Sequence, residues 1–193
     1  IIGVADVFPG AKVIEAGVGS GALSISLLRA IGKDGKLCSF ERREDFAEIA
    51  RENVKTYFGS IPSQWQLEVG SVQESSTDEK YDRVILDMLA PWECVAFAAE
   101  VLRPGGVFLA YVATTTQLSA TAEALKEDGR FTEPLSSETI VRDWHHEGLA
   151  VRPMQRMIGH TGFLIVSRRM APVVEVLARR RRPSKGAYGV AEE

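Results

Sequence analysis

Short β-branched runs alternate with longer segments of helical period along most of the chain, the form that βαβ units take around a mostly parallel sheet. Lys12 to Ala16 predicts a first buried strand. A glycine-rich turn follows and opens a helix through Ala22, Leu23, Ile25, Leu28 and Ile31, which Gly32 ends. Lys36 to Phe40 predicts a second strand. Phe46, Ile49, Ala50, Asn53, Val54 and Tyr57 then recur at the spacing of one helical face, stopped by Gly59. Trp65 to Val69 predicts strand three, and the polar run from Gln73 to Lys80 a surface loop. Tyr81 to Leu86 is apolar enough to be a central strand, ending at Asp87.

Pro91 suits the first turn of a further helix, which stops before Arg103-Pro104-Gly105-Gly106, a tight turn into the strand Val107 to Val112. The next helix carries Leu118, Ala122 and Leu125 on one side. Phe131 to Arg152 is β-like without a crossover helix, and Gly162 to Ser167 is a last strand, so the sheet is expected to close with an antiparallel pair. The fold class is α/β. One domain is expected over residues 1–170, followed by a basic, poorly ordered tail over 171–193.

Composition agrees: of 193 residues, 45% are hydrophobic and 25% charged, the balance of one globular domain. The formal charge is −3, which excludes a uniformly basic nucleic-acid binder. The mean conceals an asymmetry, because the stretch Arg168 to Lys185 carries +6 and the remainder −9. Cys38 and Cys94 sit in apolar segments with no zinc-site spacing, so no metal is expected and a reducing, cytoplasmic setting is. No apolar run approaches the roughly 18 residues of a membrane span, and no basic-then-apolar leader opens the chain. The chain opens at Ile1 with no initiator methionine and enters core-like sequence at once, as expected of a piece of a longer protein.

The chemistry concentrates in Val13-Ile14-Glu15-Ala16-Gly17-Val18-Gly19-Ser20-Gly21-Ala22-Leu23. Glycine at 17, 19 and 21 lets a ligand lie on bare backbone at a helix N-terminus. A nucleoside-triphosphate loop would need a following Lys-Ser/Thr, which is missing. A dinucleotide site is compatible, since Gly17, Gly19 and Ala22 fit its fingerprint and Glu41 closes strand two as a ribose ligand should. Glu15 weighs against it, because a carboxylate two residues before the first glycine repels a pyrophosphate but suits the sulfonium and ammonium charges of S-adenosylmethionine. Glu41 serves the ribose diol in either case. The bland alternative makes Glu15 and Glu41 solvated strand ends.

Four segments, with Glu41 between the first two, occur in order and span nearly the whole chain. They are Glu15-Ala16-Gly17-x-Gly19-x-Gly21 with Glu41, Asp87-Met88-Leu89-Ala90-Pro91-Trp92, Leu102-Arg103-Pro104-Gly105-Gly106, and Gly159-His160-Thr161-Gly162-Phe163-Leu164. Together they resemble the catalytic domain of the tRNA adenine-N1 methyltransferases that modify the T-loop. The resemblance implies a Rossmann-like class I methyltransferase fold, a mostly parallel seven-stranded sheet with a final antiparallel strand. It implies transfer of the methyl group of S-adenosylmethionine to N1 of adenosine 58, leaving S-adenosylhomocysteine, with tRNA as partner and a homo-oligomer, a tetramer, as the assembly.

By the same resemblance Gly17, Gly19, Ser20, Gly21, Ala22 and Leu23 cradle the methionine part of the cofactor, Glu41 holds its ribose, and Phe46 lines the adenine pocket or packs in the core. Strand three normally ends in an Asp that touches the adenine amino group. Here Ser71 stands in its place, so a hydroxyl or backbone amide must serve. Asp87 is implied as the catalytic acid beside the target base and cofactor; its structural alternative is a helix cap near Pro91. Tyr111 is implied to line the target-base pocket, with a core tyrosine as the alternative. His160 has no assigned chemical step and is expected to be structural. Trp144, His145 and His146 face RNA or form a solvated turn, and Arg179 to Arg182 supply phosphate contacts or a solubilising tail. The family's N-terminal β-rich module has no counterpart in this sequence. Two other functions are compatible with the chain: a non-catalytic RNA-binding subunit, against which the intact Gly17, Gly19, Gly21, Glu41 and Asp87 stand, and a small-molecule methyltransferase.

Overall fold

A computed structural model describes residues 1–160 and 162–174. Five strands and four helices come first: β1 Lys12–Ala16, α1 Ala22–Ile31, β2 Lys36–Glu41, α2 Glu44–Phe58, β3 Trp65–Val69, β4 Tyr81–Asp87, α3 Val95–Val101, β5 Leu102–Val112 and α4 Thr115–Asp128. Four further strands follow, β6 Leu135–Glu138, β7 Trp144–Glu147, β8 Ala150–Pro153 and β9 Phe163–Arg168. Seven strands form one sheet in the order β3-β2-β1-β4-β5-β9-β6, while β7 and β8 make a separate hairpin. Strands β1 to β5 run parallel, and β9 lies antiparallel to both β5 and β6.

The alternation of strand side chains divides the core in two. Val13, Leu37, Ile85 and Leu109 face α1 and α2, where Leu27, Leu28, Ile31, Ala50 and Val54 meet them. Ile14, Val84, Phe108 and Ile165 face the other way, onto Ala98, Val101 and Leu125 of α3 and α4. Each such buried aliphatic or aromatic side chain contributes about 1.5–3 kcal/mol relative to exposure. No helix joins β3 to β4. A single 3-10 turn at Val72–Glu74 and a polar loop cross there instead, which explains why Gln66 and Glu68 of β3 point polar groups away from α2. Glu79 pins that loop between Lys12 and Lys36, at 2.7 and 2.5 Å, and the two ammonium groups hold its carboxyl down at about 2.

Three expectations change in detail. The buried face of α2 is Ala47, Ala50 and Val54; Ile49 and Tyr57 of the predicted stripe are 44% and 53% exposed. A helix this close to the sheet buries its small residues and leaves the larger flanking ones outside. The helix at Pro91 begins as a 3-10 turn over Pro91–Cys94 before α3 proper. The Arg103–Gly106 turn lies within β5, whose Leu102 already pairs with Tyr81 across an irregularity in the β4 ladder. Of the expected tail, residues 175–193, and with them Arg179 to Arg182, lie outside the described residues. Among the described residues no helix is long and apolar enough to cross a membrane.

Candidate active site

The C-terminal ends of β1, β2 and β4 converge on one cleft. Parallel βα units leave strand ends and helix N-termini on the same edge, where a ligand meets backbone donors instead of side-chain bulk. Gly17 N–H donates to the Asp87 carbonyl at 3.1 Å, tying the end of β1 to the end of β4. The turn then passes through Gly19 and reaches Gly21, which caps α1 with φ 82°. A Cβ at Gly21 would stand 3.2 Å from Cα and Cβ of Ala50, so glycine both permits the left-handed turn and lets α1 start against α2. The side-chain amide of Asn53 holds the same turn by donating to the Ser20 carbonyl at 2.9 Å.

Glu41, the last residue of β2, braces this loop from the opposite side. Its Oε2 accepts the Gly19 N–H at 2.9 Å and its Oε1 the Arg43 N–H at 3.1 Å. The cleft so enclosed has a volume of about 520 Å³, within the ordinary range of small-molecule sites. Of the residues singled out from sequence, Gly17, Gly19, Ser20, Ala22, Leu23, Glu41 and Asp87 are on its wall. Asp87 is exposed at the end of β4, and partial desolvation holds its carboxyl above the ordinary value.

The other sequence candidates lie around the cleft and not on its wall. Gly21 sits behind it against Ala50. Phe46 lies under the Arg43 guanidinium, 3.4 Å from ring centroid to Cζ. Ser71 accepts from Arg42 Nη2 at 3.1 Å and bonds the Gln73 side chain. Tyr111 is the register partner of Asp87 in the β4/β5 ladder, and its ring covers Gly162.

Glu15 is wholly buried behind the glycine loop. Its Oε2 accepts from Ser24 Oγ at 2.7 Å and Ser39 Oγ at 2.6 Å, Trp65 Nε1 supports Ser39 at 2.9 Å, and Oε1 has no protein partner. Burial, opposed by the two serines and reinforced by the charge of Asp87, pushes this carboxyl up to about 7. Glu15 therefore backs the glycine loop and does not meet the ligand as its position before Gly17 suggests, because strand alternation does not say which face of a strand turns toward the cleft.

The wall also includes Phe40, Arg42, Val72, Gln73, Met88 and Leu89, none singled out beforehand for this cleft. Arg42 and Gln73 had a weak signal, as polar residues immediately after predicted strands. His160 bridges two elements instead: Nδ1 meets Glu138 Oε1 at 2.7 Å, Nε2 meets the Ala113 carbonyl at 2.8 Å, and its ring packs against Phe163. Trp144, His145 and His146 are on the β7/β8 hairpin, where Trp144 is 56% exposed. Among the described residues no group of three or more His, Cys, Asp or Glu side chains is arranged to hold a metal ion.

A parallel sheet with one antiparallel strand beside its last parallel one, and a glycine loop facing an acid at the end of β2, define a class I methyltransferase. The sequence profile of the family described as "tRNA methyltransferase complex GCD14 subunit" matches residues 1–148, and the chain belongs to that family. The tRNA (adenine(57)-N(1)/adenine(58)-N(1))-methyltransferase TrmI of Methanocaldococcus jannaschii is 33% identical, over 87% of this chain and 68% of its own length. The tRNA (adenine(58)-N(1))-methyltransferase TrmI of Thermus thermophilus is 32% identical, over 85% of this chain and 64% of its own.

Among solved structures, a SAM-dependent O-methyltransferase of Thermotoga maritima superposes with a TM-score of 0.82 at 32% identity, covering 89% of this chain and 64% of that one. The tRNA (m1A58) methyltransferase TrmI of Aquifex aeolicus superposes at 0.78 with 21% identity over 87% of this chain and 66% of that one, a likeness of fold. The chain thus spans about two thirds of the length of these relatives.

Proposed function

We propose that this chain is the catalytic domain of an enzyme that methylates N1 of adenosine 58 in the tRNA T-loop with S-adenosylmethionine. The observation that carries the reading is one wall shared by the bare-backbone loop at Gly17 and Gly19, the ribose-compatible acid Glu41 and the strand-end acid Asp87. The lining suits that cofactor: a Cβ at Gly17 would rest at 3.4 Å against Glu41 Oε2 and at 3.5 Å against the Asp87 backbone carbonyl, so the glycine leaves bare backbone beside the Glu41 carboxylate. The loop from Gly17 to Leu23 would hold the methionine portion, Glu41 the ribose, and Phe40, Arg42 and Gln73 the purine end. When bound, this cofactor supplies an electrophilic methyl group on a sulfonium.

Adenine N1 has an in-plane lone pair at neutral pH, so the protein removes no proton before transfer; its task is alignment. Asp87 would accept from the adenine N6 amino group, fixing the ring. Methylation makes the ring cationic, and the carboxylate gains interaction energy as that charge grows, which is selective stabilisation of the transition state. Phosphate contacts must be local, given the acidic body, and Arg179 to Arg182 are the basic run that would make them.

Relatives named for tRNA adenine-N1 methylation at about a third identity support tRNA as the substrate. A homotetramer is part of the same reading, supported by the apolar exposure of Trp144, Leu149 and Val151 on the β7/β8 hairpin. So is a cytoplasmic setting, supported by the free thiols of Cys38 and Cys94.

The test is reaction of the full-length protein with bulk tRNA and S-adenosylmethionine, followed by mass-spectrometric mapping of the modified nucleotide. N1-methyladenosine at position 58 is expected. Asp87→Ala should lower turnover at least about a hundredfold, as expected for loss of a transition-state contact, with S-adenosylhomocysteine affinity nearly unchanged. A modified base other than adenosine, or full turnover by Asp87→Ala, would overturn the assignment.

A further inference from the structure

Asp87 stands at the start of a short loop, Met88-Leu89-Ala90, that lines the cleft and whose middle residue has almost nothing to pack on, since the Leu89 side chain is 83% exposed. The loop is secured at its ends by the Gly17 N–H on the Asp87 carbonyl at 3.1 Å and the Glu93 N–H on the Ala90 carbonyl at 3.2 Å. Between them the Leu89 carbonyl accepts Nε2 of Gln117 at 3.0 Å, from the first turn of α4.

The other end of that amide is committed. Gln117 Oε1 accepts the Ala113 N–H at 3.2 Å, the Thr114 N–H at 3.0 Å and the Thr114 hydroxyl at 3.0 Å, while the Gln117 N–H returns a bond to Thr114 Oγ1 at 3.3 Å. Three donors on one atom identify it as the oxygen, so the nitrogen must face Leu89. A capping box alone asks only for an acceptor at this position, and glutamate fills that role as well as glutamine. The donor half is surplus to the cap. It meets the Leu89 carbonyl, in the loop beside Asp87.

We propose that Gln117 is a positioning residue for methyl transfer: it clamps the Leu89 carbonyl to the N-terminus of α4 and thereby holds Asp87 at the angle the target base requires. The inference rests on the function proposed above. It assigns no chemical step to Gln117, which acts through the loop.

Two variants separate clamp from cap. Gln117→Glu keeps the acceptor for Ala113 and Thr114 and loses the donor to Leu89; Gln117→Leu loses both. The chain has four methionines, Met88, Met154, Met157 and Met170, so methyl-labelled methionine gives four NMR signals, one of them inside the loop. With Gln117→Glu the Met88 signal should shift or broaden while thermal stability holds. Turnover on bulk tRNA should fall about tenfold or more, as misplacement of a catalytic group does, with the KM for S-adenosylmethionine changed much less.

An unmoved Met88 signal in Gln117→Glu, or a moved signal with undiminished turnover, would overturn the clamp and leave Gln117 as a cap. Should the wild-type full-length protein transfer no methyl group to tRNA, the proposed function falls instead, and the Met88 signal alone decides whether Gln117 holds the loop.

Discussion

The ring of Tyr111 lies directly on the backbone of Gly162, so closely that a Cβ at 162 would overlap Cζ and the phenol oxygen. Tyr111 is also the ladder partner of Asp87, so the contact ties the segment before β9 to the edge of the cleft. Gly162→Ala should therefore destabilise the fold by about 1–3 kcal/mol, as overpacking of a filled site does, and push Tyr111 off its position. Combining it with Tyr111→Ala should recover part of the loss, since two residues in contact do not add. Chemical denaturation of the two single variants and the double variant measures the coupling; strict additivity would show that the overlap is relieved elsewhere.

Glu41 holds the glycine loop by accepting from Gly19, a hydrogen bond in which the acceptor is charged. Such bonds contribute about 1.5–3 kcal/mol, so Glu41→Ala should weaken S-adenosylhomocysteine binding by about tenfold to a hundredfold. Glu41→Gln keeps a carbonyl oxygen for the Gly19 N–H and should fall between the two. Calorimetric titration orders the three proteins, and equal affinities would detach Glu41 from the loop.

Glu15 makes the stability of the fold depend on pH. Its carboxyl is raised from 4.5 to about 7, chiefly by burial. Below the lower value both states are protonated and burial carries no ionisation cost. Between the two values the unfolded chain releases a proton that the folded chain keeps, so stability declines as pH rises, and above about 7 the loss is constant. The full decline is about 3 kcal/mol. Glu15→Gln should flatten it; an unfolding profile over that range with the same slope in both proteins would place the proton elsewhere.

His160 responds in the opposite sense. Its two ring nitrogens face the Ala113 carbonyl and the Glu138 carboxylate, both acceptors, which favours the doubly protonated ring and raises its pKa. The stabilisation is complete below the ordinary 6.5 and is lost as pH rises through the higher folded value. Titration by NMR should place His160 above its ordinary value of 6.5, and Glu138→Gln should lower it toward that value. An unshifted His160 curve would show that the bridge does not persist in solution.

Much of this molecule is legible from local pattern. The strands β1, β3 and β4, the helix α1 with its glycine stop, and the antiparallel close of the sheet follow from hydrophobic period and turn chemistry, because those signals depend on neighbours in sequence. That Gly17, Gly19, Glu41 and Asp87 line one cleft was legible for a related reason. In parallel βα units every strand ends on the same edge, so residues at strand ends share a cleft whatever the rest of the chain does.

Tertiary packing decided the remainder. Whether Glu15 faced ligand or core depended on Ser24, Ser39 and Trp65 arriving from three other elements to enclose it. Which side of α2 was buried depended on how near α1 and the sheet stand, a distance that admits Ala47 and Ala50 but leaves Ile49 outside. The contact of Gln117 with Leu89 joins positions 28 residues apart through one amide. No periodicity encodes such a contact, because it exists only after the loop behind β4 and the first turn of α4 have been brought side by side.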